Sequence, residues 1–239
     1  VFVVGFPSGP LQANCYLLAG GADESPTDGS DRPCVIVDPG QHVMEPLAAR
    51  LAEHRLTPVA VLLTHGHFDH AYSATEVSEA YDVPVWVHPG DRPLLSEPLR
   101  GVGSDLARLL GPELAMREPR RIAELTDGQA MEPAGLRITV LHTPGHTEGS
   151  VCLRVSTAAV AGSGVEPDVL VAGDTLFAGA VGRTDLPGGD PEAMTETLRS
   201  RILPLPDELV VLPGHGPATT IGRERVRNPF LRGVAPAEG

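Results

Sequence analysis

Three observations predict an α/β domain of two packed sheets covered by helices. Strand and helix signals alternate along the chain, apolar runs repeatedly end in glycine beside one His or Asp, and no composition break separates one half from the other. In chain order, β-rich runs fall at 1–6, 15–18, 34–37, 58–63, 83–87, 136–141, 151–155, 169–172 and 209–212. Helical patterns fit 43–54, 70–81, 104–110 and 191–203. Pro191 stands in the first turn of the last of these, where its missing N–H costs nothing. The polar, Gly-rich stretches 20–33 and 158–167 read as hairpin loops rather than linkers, and there is no tandem repeat. The expectation is one domain over 1–239, with 217–239 a short C-terminal tail and no separate helical substrate domain.

Composition narrows the function classes. The formal net charge is −13, which opposes binding to nucleic acid through a continuous basic footprint. All 18 basic residues are arginine, so any anion contact made by lysine elsewhere must be made by arginine here. Cys15, Cys34 and Cys152 have no paired spacing and sit in apolar contexts, as buried free thiols do. No apolar run approaches the ~18 residues of a membrane span. The start of the chain lacks a basic n-region and reads as a first strand rather than a signal peptide. A cytoplasmic protein without nucleic-acid or membrane partners is the expectation.

The chemistry is concentrated in Thr64-His65-Gly66-His67-Phe68-Asp69-His70, which follows the apolar run 59–63. Imidazole nitrogens and a carboxylate form a borderline donor set that zinc, iron and manganese all accept. A strand would deliver them rigidly to its tip. Three more apolar runs end the same way: Pro144-Gly145-His146-Thr147 follows 136–141, Gly173-Asp174-Thr175 follows 169–172, and Pro213-Gly214-His215-Gly216 follows 209–212. Glycine at each end permits a tight turn and close backbone approach. Four strand ends that each offer a donor point to a metal centre.

The order and spacing of these donors resemble the metallo-β-lactamase superfamily, over residues 14–230. Thr143-Pro144-Gly145-His146-Thr147, Gly173-Asp174-Thr175-Leu176-Phe177, Gly182-Arg183-Thr184-Asp185, Pro213-Gly214-His215-Gly216-Pro217 and the tail through Asn228-Pro229-Phe230 are similar to the short, one-domain branch of type II glyoxalases. The resemblance implies a four-layer αββα sandwich. It also implies two divalent metal ions, zinc or else iron or manganese, one held by His65, His67, His146 and Asp174. The other would take Asp69, His70, His215 and the same Asp174 as a bridge. All seven positions carry the expected residue type.

The implied reaction is hydrolysis of an S-2-hydroxyacyl thioester, such as S-lactoylglutathione or a related thiol conjugate. Two metals about 3.5–4 Å apart lower the pKa of a shared water towards ~7, so a bridging hydroxide attacks the carbonyl. Asp174 is the natural bridge, and Asp69 is placed to take a proton as the intermediate collapses. Arg183 falls where larger relatives carry a basic residue near the substrate and is the first candidate for an anion contact with it, with pairing to Asp185 as the plainer alternative. Asp38, in Val37-Asp38-Pro39-Gly40, ends a strand on the same edge and is expected to orient a ligand histidine. His42, His54 and His88 read as surface or hydrogen-bonding residues, His142 as a core or loop histidine rather than a support of the site, and Arg223, Arg225 and Arg227 share a solvated face with Glu224. The alternative activity is that of a persulfide dioxygenase. That branch shares Gly182-Arg183-Thr184-Asp185 and uses a single iron held by two His and one Asp of the same set. The turn 213–217 and the Asn228-Pro229-Phe230 tail favour the hydrolase.

Overall fold

A computed structural model describes residues 1–21, 30–111, 114–157 and 168–234. One sheet runs β1 (Phe2–Ser8), β2 (Ala13–Ala19), β3 (Arg32–Val37), β4 (Leu56–Leu62), β5 (Val85–Val87) and β6 (Ile122–Glu124), in that spatial order. The other is ordered β14 (Thr219–Thr220), β13 (Val210–Pro213), β10 (Val169–Gly173), β9 (Val151–Thr157), β8 (Leu136–His142) and β7 (Ala130–Met131). A two-stranded hairpin, β11 (Leu176–Phe177) and β12 (Ala180–Val181), stands apart from both.

The period-two alternation of the strands produces the layers. On one face of the first sheet, Leu17, Ile36 and Val61 pack with Leu47 and Leu51 of helix α1 (Met44–Glu53) and Val77 of α3 (Ala74–Tyr81). Their chain neighbours Leu18, Val35 and Leu62 point the other way, into a shared core with Ile138, Leu153 and Val171 of the second sheet. The far face of that sheet presents Cys152, Leu170 and Val211 to Met194 of α5 (Pro191–Thr197), Ile221 of α6 (Ile221–Arg227) and Leu231 of α7 (Pro229–Val234). Helix, sheet, sheet and helix follow in sequence: the αββα sandwich. All three cysteines are free and buried within it. Among the described residues, no helix is long and apolar enough to cross a membrane.

Several expected boundaries move. The helix expected over 70–81 is two: α2 (Phe68–Ala71) and α3, because the Ser73 N–H turns aside to the Pro39 carbonyl at 3.0 Å. The helix expected over 191–203 widens after α5 into a π-type turn over Leu198–Ile202, with the Leu203 N–H bonded to the Leu198 carbonyl at 2.9 Å. The strand expected over 83–87 begins only at Val85. Residues 217–234 fold further than a tail: β14, α6 and α7 close over the second sheet. Glu224 is not on a solvated face. It is 1% exposed and accepts from Thr219 Oγ1 at 2.6 Å, the Gly179 N–H at 2.7 Å and Asn228 Nδ2 at 3.0 Å. Most of the expected hairpin loops, 22–29 and 158–167, lies outside the described residues.

Candidate metal centre

Parallel pairing explains why the donors meet. β3 and β4 are parallel neighbours, so Asp38 and His65 emerge from the same edge of the first sheet. β10 and β13 are parallel neighbours in the second sheet, which brings Asp174 and His215 out side by side. His146 rides the connection between β8 and β9. The two edges are tied together where the Val151 N–H donates to the Thr64 carbonyl at 2.8 Å. Gly214 lets the second pair close up: a Cβ there would lie 2.1 Å from Asp174 Oδ1.

All seven expected donors converge. The donor atoms of His65, His67 and His146 lie within 4.8 Å of one another, as do those of Asp69, His70 and His215. His67 Nδ1 is 2.9 Å from His146 Nε2, and His70 Nε2 is 3.2 Å from His215 Nε2. Asp174 lies between the two groups. Its Oδ2 is 3.5 Å from His146 Nε2 and 3.7 Å from His215 Nε2, while Oδ1 is 3.4 Å from His70 Nε2. Asp69 Oδ2 is 3.3 Å from His215 Nε2.

Supporting hydrogen bonds fix which nitrogen faces inward for His146, His70 and His65. His146 donates Nδ1–H to the Arg183 carbonyl at 2.8 Å, leaving Nε2 for the centre. His70 Nδ1 lies 3.0 Å from Asp38 Oδ2, and His65 Nδ1 lies 3.1 Å from Thr64 Oγ1. Thr64 in turn donates its hydroxyl to Asp38 Oδ2 at 2.6 Å and its N–H to Asp38 Oδ1 at 2.8 Å. One buried carboxylate therefore orients His70 directly and His65 through Thr64. His67 is reversed, with Nδ1 inward and Nε2 buried without a hydrogen-bond partner.

The donor set fits divalent metal ions. His65 Nε2 and Asp174 Oδ1 are buried with no hydrogen-bond partner, at the points where a cation would bind them. Burial, followed by the neighbouring imidazoles, holds His65 well below the usual histidine range, and burial with His146 pushes His67 down to about 3. Both are neutral and keep a lone pair. Burial also pulls His70 down, but Asp174, Asp69 and Asp38 outweigh it and raise it to about 10. Burial raises Asp69, yet His70, His215 and His67 together hold it below the usual carboxylate range. A divalent cation held there would offset the carboxylates that crowd around His70.

Residues 8–215 match the family described as the Metallo-beta-lactamase superfamily. The chain belongs to that superfamily. It is 37% identical over 230 residues to the probable metallo-hydrolase YqgX of Bacillus subtilis, covering 96% of this chain and 97% of the relative. It is 33% identical over 226 residues to the hydroxyacylglutathione hydrolase GloC of Haemophilus influenzae, covering 94% and 95%. Among solved structures, the BLEG-1 B3 metallo-beta-lactamase superposes with a TM-score of 0.77 at 36% identity, over 96% of this chain and 99% of the other. TTHA1623 in a di-iron-bound form gives 0.71 at 38% identity, over 96% and 100%.

As a metallo-beta-lactamase superfamily fold, the chain also holds its donor loops with residues that the motifs do not single out. Asp91 is 1% exposed and accepts the Gly66 N–H at 2.8 Å, the Thr147 hydroxyl at 2.6 Å and the Gly149 N–H at 2.7 Å. It locks the loop of His67 to the loop of His146. Arg183 takes the plainer role expected for its side chain: Nε and Nη2 donate to the two oxygens of Asp185 at 2.7 and 2.8 Å. It also lines the cavity of about 530 Å3 onto which His67, Asp69, His146, Asp174 and His215 open. His142 stays outside the centre, stacked on His88 at 4.2 Å, with Nε2 2.9 Å from the Glu148 carbonyl.

Proposed function

We propose that this chain is a metallo-hydrolase with two divalent metals that cleaves S-2-hydroxyacyl thioesters. The observation that carries the reading is Asp174, whose carboxylate reaches toward both donor groups. The resemblance to GloC over nearly the whole chain supports the thioester class. In this reading His65, His67 and His146 would hold one metal and Asp69, His70 and His215 the other, with Asp174 shared between them. Such a pair would supply a hydroxide nucleophile at neutral pH and polarise the carbonyl.

The residues of the chain do the rest. Asp38 and Thr64 hold the rings of His70 and His65 so that little reorganisation accompanies the reaction. Asp69 stays ionised beside the cavity, where its charge would help to hold a cation. The leaving thiolate, with a pKa near ~8.5, departs without a dedicated general acid. Arg183 has N–H groups beyond those held by Asp185 and can donate to a substrate oxygen. Arg183→Ala is expected to raise KM for a lactoyl thioester more than it lowers kcat, because the backbone carbonyl that orients His146 remains. An unchanged KM would remove the side chain from substrate binding.

Metal content tests the central reading. Protein purified without added metal or chelator should carry close to two metals per chain and hydrolyse S-lactoylglutathione or a related lactoyl thioester. A single-iron oxygenase would leave the group of Asp69, His70 and His215 without a cation. Close to one iron per chain, with oxygen consumed on a persulfide, would overturn the hydrolase reading in favour of the dioxygenase.

A further inference from the structure

Beyond its donors, the cavity in front of the centre is apolar. Its walls are Leu11, Phe68, Val102, Phe177, Val181 and Leu186, and its volume of about 530 Å3 suits a small-molecule substrate. Donors apart, Arg183 is the only charged side chain lining it among the described residues, and that guanidinium pairs with Asp185 through two hydrogen bonds. The chain as a whole carries a formal charge of −13. A glutathione conjugate would bring two carboxylates to a lining whose one described cation beyond the donors is already paired with Asp185. Desolvating an unpaired charge is costly, whereas each methylene placed against these walls is favourable.

We infer that the preferred substrate is an uncharged 2-hydroxyacyl thioester whose acyl chain or thiol chain is apolar, rather than a conjugate of a charged tripeptide thiol. This rests on the thioester reading above and names the substrate class within it. The selectivity lies in the walls: an alkyl or aryl group fills the space that Leu11, Val102, Phe177 and Leu186 enclose, and Arg183 serves a neutral oxygen acceptor.

The test uses the metal-loaded enzyme and two ester series. One keeps the lactoyl group and lengthens the thiol from ethyl through butyl to hexyl, leaving the thiol pKa nearly constant. The other keeps the ethyl thiol and lengthens the 2-hydroxyacyl chain. In at least one series kcat/KM should climb about three- to fourfold per methylene until the cavity is full, and its longest member should exceed S-lactoylglutathione. Leu11→Arg, on a turn where the side chain is 48% exposed, places a cation at the mouth without disturbing the core. It should shift the ratio of glutathione to hexyl ester by about tenfold towards glutathione, the scale of one tuned pocket contact. Two flat series with S-lactoylglutathione as the best substrate would overturn the apolar preference and leave the thioester reading standing. Turnover of no ester at all would overturn the thioester reading and this inference with it.

Discussion

Asp174→Ala protein should retain at most one metal per chain, with hydrolytic turnover reduced by more than about a hundredfold, a loss that even an outer partner of a ligand can cause. The carboxylate lies within 3.4–3.7 Å of one imidazole nitrogen from the first donor group and two from the second. Its removal leaves five imidazoles to be served by Asp69 alone. Two cations brought close together without a shared anion repel one another, so the second should be lost rather than merely weakened. The fold should survive, because the side chain ends a strand at the rim of the cavity and alanine needs less room. Elemental analysis beside kcat/KM decides the matter, with a melting curve as the check on folding. Two metals per chain in the variant would end the case for a bridge.

Asp38→Ala should weaken metal binding by about 10- to 100-fold although Asp38 is expected to touch no metal. Its two oxygens serve the Thr64 N–H, the Thr64 hydroxyl and His70 Nδ1, all buried. Alanine strands these groups, at about 1–3 kcal/mol for each buried donor left unmade. The backbone adds to the cost: φ is +51° at Asp38, a conformation that Asp and Asn tolerate better than Ala. Asp38→Asn separates the two effects. It keeps the turn and one acceptor oxygen but loses the charge that favours His70 in its present orientation. Chelator competition on both variants should show weakened metal binding in each, with the larger loss of thermal stability in the alanine form. Wild-type affinity in both would mean that His65 and His70 need no such support.

The contrast between Asp38 and Asp91 shows what the sequence makes legible. Asp38 follows an apolar run and precedes Pro39-Gly40, so its place at the donor edge can be read from strand and turn signals. Asp91 also follows a Pro-Gly turn, yet nothing local announces that it will accept from Gly66 and from Thr147 and Gly149, 25 and 56–58 positions away. Glu224 was obscured by its three arginine neighbours, whose charge suggests solvent. It is buried where the turn of the β11–β12 hairpin, β14 and Asn228 close on it. The seven donors are legible because they follow four apolar runs that end in glycine-marked turns, four of them in the single block 65–70. Strands such as β7, β11 and β14 span two residues each, too few for alternation to register. The break between α2 and α3 is set by Pro39, a residue remote in sequence that captures the Ser73 N–H.

The hairpin held by Glu224 and Asn228 carries Phe177, Ala180 and Val181 into the cavity, and Leu11 and Val102 come from two other connections. None of these segments supplies a donor, and the donors have their own supports. These walls can therefore diverge while the reactive centre is inherited intact. In this chain the choice of molecule and the chemistry performed on it are largely separately mutable, joined at Phe68, a wall residue between His67 and Asp69, and at Arg183, whose side chain faces the cavity while its carbonyl holds His146.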